Sequence, residues 1–119
     1  MAEPEGRAAL MAYDEELSNR IRRMLGDRAT EEKKVFGGLA FMIGGNMAVA
    51  ASSNGGIIVR IDPAEGPDLA ATTAAELMEM RGKQMAGWLR VGHEHIGDDE
   101  ALAPWVERGA TYAASLPPK

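Results

Sequence analysis

No cysteine occurs among the 119 residues, which excludes disulfides, thiolate nucleophiles and Cys-ligated zinc or iron–sulfur centres. Histidine is nearly absent, since His93 and His95 are the only two. Phe, Tyr and Trp supply two residues each, so aliphatic and methionine side chains must fill most of any core. There is no long hydrophobic run either. The longest weakly polar stretch, Val35 to Ala51, is interrupted by four glycines and an asparagine, and a spanning helix needs about 20 apolar residues. Positive charge is in deficit: 13 Lys and Arg face 18 Asp and Glu, and the resulting net charge of −5 disfavours nucleic acid as a partner. Met1 to Leu10 carry charges of mixed sign and a proline, without the basic and apolar regions of an export signal, so a cytoplasmic location is expected.

With 45% hydrophobic and 26% charged residues, the chain has the composition of one soluble globular domain. Residues 1–12 read as a disordered tail and 13–119 as the domain. Leu17, Ile21, Met24 and Leu25 recur at helical spacing, with acidic residues ahead of them and Gly26 after. Glu16 precedes Arg20 by four positions and Asp27 follows Arg23 by four, which predicts ion pairs along that helix. Lys34 to Ile43, Met47 to Ala51 and Ile57 to Ile61 are short runs separated by Gly44-Gly45-Asn46 and Ser52 to Gly56, the pattern of an antiparallel meander. Alternation puts Ile57, Val59 and Ile61 on one face and Ile58 with Arg60 on the other. Gly37-Gly38 interrupts the first run next to Phe36 and predicts a β-bulge or a close backbone approach.

Asp62-Pro63-Ala64-Glu65 is a helix start that Gly66-Pro67 disturbs, so the second helix should be short or broken. A strand pair around Gly82-Lys83 follows, and Gly97 to Glu100 opens a final helix in which Pro104 predicts a kink or a delayed start. The order is α-β-β-β-α-β-β-α. It implies an α+β fold of two layers, an antiparallel sheet with helices on one face. The expected core comprises Phe36, Leu39, Phe41, Ile43, Val59, Ile61, Leu89, Trp105 and Val106. Met78, Met80, Met85 and Trp88 are expected to fill gaps in it.

Chemistry-bearing patterns are sparse. His93-Glu94-His95 would set two imidazoles on one side if the preceding strand ran through them, but two ligands do not make a metal site, and an exposed loop is the plainer reading. The serines lie outside any nucleophile elbow, and the glycine pairs fit no phosphate-binding pattern. Asp98-Asp99-Glu100 suits a helix N-terminus. No catalytic residue, cofactor or metal is expected.

Lys34-Val35-Phe36-Gly37-Gly38-Leu39-Ala40-Phe41-Met42-Ile43, the following Asn46-Met47, Ile58-Val59-Arg60 and Met80 to Trp88 together resemble the TfoX N-terminal domain family. Val35 stands where that family often has methionine. The resemblance implies a secretion-chaperone-like α+β fold and an association with bacterial competence regulation. It brings no catalytic residues with it. The second domain of full-length TfoX proteins has no counterpart in these 119 residues.

The function expected is therefore that of a small non-catalytic regulatory or protein-interaction domain. Its partner would be another protein, with a second copy of the chain as one candidate. Arg60, Lys83, Trp88 and Arg90 form the candidate interaction surface, since Arg60 and Arg90 alternate with apolar neighbours and Lys83 adds to a locally basic stretch. A transcription-linked nucleic-acid binder is the alternative, and a small metal enzyme using His93 and His95 the second alternative.

Overall fold

The computed structural model describes residues 15–35, 37–53 and 55–119. The residues read as a tail, and Phe36 of the expected core and turn motif, lie outside that set. Among the described residues, three α-helices, α1 (Glu15–Leu25), α2 (Gly66–Thr72) and α3 (Asp99–Ser115), accompany six strands. The strands are β1 (Glu31–Val35), β2 (Gly38–Ile43), β3 (Asn46–Ala51), β4 (Ile57–Arg60), β5 (Glu76–Met80) and β6 (Lys83–Val91). They form one sheet in the order β1-β2-β3-β4-β6-β5, with every pairing antiparallel. The fold is α+β, with the strand and helix blocks in the order read from the sequence.

One strand more is present than the meander pattern suggests. The run Lys34 to Ile43 is divided by a tight turn, because Val35 pairs with Gly38 and Gly37 adopts a φ of +77°, a conformation that glycine reaches without a Cβ clash. Gly37 thus lies in a hairpin turn rather than at a bulge, whereas Gly38 opens β2 at the expected close backbone approach, since a Cβ there would stand 2.2 Å from the Ala51 carbonyl oxygen. Two further hairpins have positive φ at both central residues, Gly44-Gly45 and Arg81-Gly82, which matches the right-handed strand twist. Lys83 consequently opens β6 instead of sitting in the turn.

The core lies between the sheet and the helices. Leu17, Ile21 and Leu25 of α1 and Leu102, Val106, Ala110 and Ala113 of α3 pack with Leu39, Phe41, Val49, Val59 and Leu89, and Leu69 and Ala70 of α2 join its margin. Ile61 is fully buried, whereas Ile43 and Trp105 are only partly covered. Two successive residues of β3, Ala48 and Val49, both belong to this core. A bulge permits it: Phe41 pairs with Val49 but Met42 with Met47, leaving Ala48 as the extra residue. Above it, a Cβ on Gly109 of α3 would stand 2.3 Å from the Ala48 carbonyl oxygen and 3.1 Å from Val59 Cγ1.

Capping and charge then fix the helices. Asp98 accepts a 2.8 Å hydrogen bond from the Ala101 amide at the start of α3. Pro104 sits inside the regular helix, without delaying its start. At α2, Asp62 instead closes a turn by accepting from the Ala64 amide, and the helix proper begins only at Gly66, where a Cβ would collide with the Ala86 carbonyl. Two arginines of α1, Arg20 and Arg22, reach across the fold, and Arg22 also donates to Asn19 one turn back on its own helix. Arg20 donates to Asp99 at 2.8 Å and to the Ile96 carbonyl at 3.0 Å, and Arg22 donates to Glu32 of β1. Arg28, just beyond α1, clamps Glu107 of α3 with two hydrogen bonds. The β2–β3 turn is held by the chain end, since the Lys119 amide donates to the Gly44 carbonyl and the Asn46 side chain to that of Pro117.

Gly109→Ala should lower the denaturant midpoint, reflecting a destabilisation of roughly 1–3 kcal/mol for an overpacked site, despite a helix-propensity gain of about 1 kcal/mol. A raised midpoint would mean that α3 does not ride so close to β3. A second expectation concerns acid. Hydrogen bonds from Arg22 and Arg28 hold the Glu32 and Glu107 carboxyls below their ordinary value of 4.5. Their contribution is present above that ordinary value and is lost as the pH falls through the depressed one. Melting curves from pH 6 to pH 2 should therefore show a decline that is shallower in Glu107→Gln, with both slopes reduced by salt.

Candidate functional site

On the sheet face away from the helices, the register places Met42 and Met47, then Ile58 and Arg60, then Trp88 and Arg90, and finally Glu76 and Met78. Among the described residues no helix lines the middle of this face, and α3 reaches only its margin, where Tyr112 meets Arg60. Met47, Ile58, Met78, Met80, Met85 and Trp88 line a groove of about 220 Å³. Every one of the six is apolar, and Met80 is 39% exposed. The expectation that Met78, Met80 and Met85 fill the core is therefore overturned. Trp88, half-buried, floors the groove and is no core anchor.

Two irregularities build this surface. The bulge at Ala48 turns Met47 to the groove side while keeping its successor in the core. In β6 the register jumps: Leu77 pairs with Leu89 but Met78 with Met85, so Ala86, Gly87 and Trp88 are extra residues on the longer strand. That shift brings Met85 and Trp88 into one groove. Alternation alone correctly assigns Ile58 to this face, but it cannot reveal Met47, because bulges reset the period of two without a residue signature.

The four residues of the candidate surface share this face by register, in three settings. Arg60 has its guanidinium 4.8 Å from the Trp88 ring centroid and 5.8 Å from that of Tyr112 on α3. It is held between two aromatic faces, and Tyr112 gave no sequence signal for this. Lys83 pairs with Met80 at one end of the groove and is exposed. Arg90 is exposed further along β6, opposite Ile58 on one side and Glu76 on the other. Among the described residues, no carboxylate lies within ion-pair distance of Lys83 or Arg90.

His93 and His95 do not continue β6. Gly92 ends the strand and the two imidazoles occupy a single 3-10 turn, with His95 Nε2 3.5 Å from Glu94 Oε2. Among the described residues, no three metal-ligating side chains gather to hold an ion. No described helix is long and apolar enough to cross a membrane.

Residues 20–113 match the family model of the TfoX N-terminal domain. The chain belongs to the TfoX N-terminal domain family. Neither a curated protein nor a solved structure matches it. The matched span runs from α1 through most of α3, so this TfoX N-terminal domain includes the sheet, the groove and the helix layer behind it.

Arg60→Ala should release Trp88 toward solvent. In a Trp105→Phe background, Trp88 emission should shift to the red and stability should fall by about 0.5–1 kcal/mol, the worth of a partly exposed cation–π contact. Unchanged emission would mean that the stack does not persist in solution.

Proposed function

We propose that this TfoX N-terminal domain is a non-catalytic protein-interaction domain that receives its partner on the open face of the sheet. The observation that carries the reading is the groove of four methionines, Ile58 and Trp88 on a face that no described helix covers. Methionine is unbranched and polarizable, so a methionine-lined surface adapts to apolar partners. The two histidines, His93 and His95, sit in an exposed turn and take no part in the groove lining. The regulatory role associated with the family fits a domain that works by binding, through family analogy.

The test is a charge placed in the groove. Met78→Asp should leave the circular dichroism spectrum intact and abolish capture of the host proteins retained by the immobilised wild-type domain. The comparison is made by quantitative mass spectrometry of the two captures. Equal retention by both proteins would refute the use of this face.

A further inference from the structure

The charges around the groove specify the chemistry of its occupant. The groove lies on a face of the sheet, where the backbone groups of β3, β4 and β6 are committed to neighbouring strands and only the outer edge of β5, beside the groove and not within it, is open to an extended ligand. A ligand seated there must satisfy its own backbone, which a helix does. Apolar side chains of that helix would enter between Met47, Ile58, Met78, Met85 and Trp88. By register Lys83 and Arg90 flank the groove along β6, both exposed and with no described carboxylate at ion-pair distance, while Glu76 and Glu94 line a neighbouring pocket with Arg90. The chain as a whole carries −5, so this face is locally positive on an acidic molecule. A second copy would set these cations against their own kind and bring two acidic bodies together. We propose that the groove binds an amphipathic helix of another protein whose apolar stripe is flanked by Asp and Glu, the carboxylates pairing with Lys83 and Arg90.

This inference rests on the proposed use of the open face, and the two can fail separately. The probes are synthetic 16-residue helices with one leucine stripe, flanked by glutamates in one and by lysines in the other, titrated against the full chain carrying Trp105→Phe and followed by Trp88 emission. The glutamate helix should bind saturably with a blue shift, and more tightly than the lysine helix, the difference shrinking in 1 M salt. A Lys83→Glu, Arg90→Glu double variant, exposed at both sites, should weaken the glutamate helix about fivefold or more and improve the lysine helix. Equal binding of the two helices, or a preference for lysine, would overturn the charge assignment. So would a groove already filled: binding of the glutamate helix only after removal of residues 1–14, or dimerisation in sedimentation that Met78→Asp abolishes, would each name a different occupant. If these helices fail while Met78→Asp still abolishes capture of host proteins, the interaction face stands and the acidic helix does not.

Discussion

The spacing between the two layers is set where Gly109 of α3 meets the Ala48 carbonyl of β3. A helix resting on a sheet through ordinary side chains lies about 10 Å away. At this contact a single Cβ would stand 2.3 Å from a backbone oxygen, so the helix is as close as glycine allows. The approach also needs Ala48 to face the helix beside Val49, and that is possible only because β3 is bulged. The same extra residue sends Met47 to the opposite face. Core packing and the surface groove are thus two results of one irregularity in one strand.

Around that contact the charged residues act as ties between layers. Arg20, Arg22 and Arg28 each join the α1 region to a different partner, Asp99, Glu32 and Glu107. Arg108 adds a 3.3 Å pair to Glu65 in the turn before α2. These pairs are at least partly exposed and individually weak. Their value is geometric, since they hold amphipathic helices at fixed places over a core with few aromatic rings. On the groove face, by contrast, Lys83 and Arg90 have no carboxylate at ion-pair distance among the described residues.

Much of the architecture could be read from local pattern. The α1 periodicity, the Asp98 cap, the burial of Phe41, Val59 and Leu89 and the α+β order follow from spacing and turn chemistry. What could not be read depends on register. Gly37 marks a hairpin and not a bulge, a distinction decided by whether Val35 finds Gly38 as its partner. The three extra residues of β6 and the extra Ala48 of β3 have no signature of their own, so Met47, Met78, Met80 and Met85 could not be seen to converge outside the core. Helix arginines were similarly opaque. Their i, i+4 spacing pointed to Glu16 for Arg20 and Asp27 for Arg23, and it gave no sign of the tertiary carboxylates Asp99 and Glu32 that Arg20 and Arg22 reach.

The two edges of the sheet are unlike. The β1 edge reads Glu31-Glu32-Lys33-Lys34, all exposed, with a charge of each sign on either face; the β5 edge places Leu77, Met78 and Met80 among only two glutamates. A strand adding to β1 would have to strip water from four charges and match both signs on both faces, which blunts that edge. Endless stacking of sheets needs two usable edges, because every repeat must accept a neighbour on each side. With β1 closed, any strand pairing through β5 ends at a pair of molecules, and fibrous growth has no second point from which to continue.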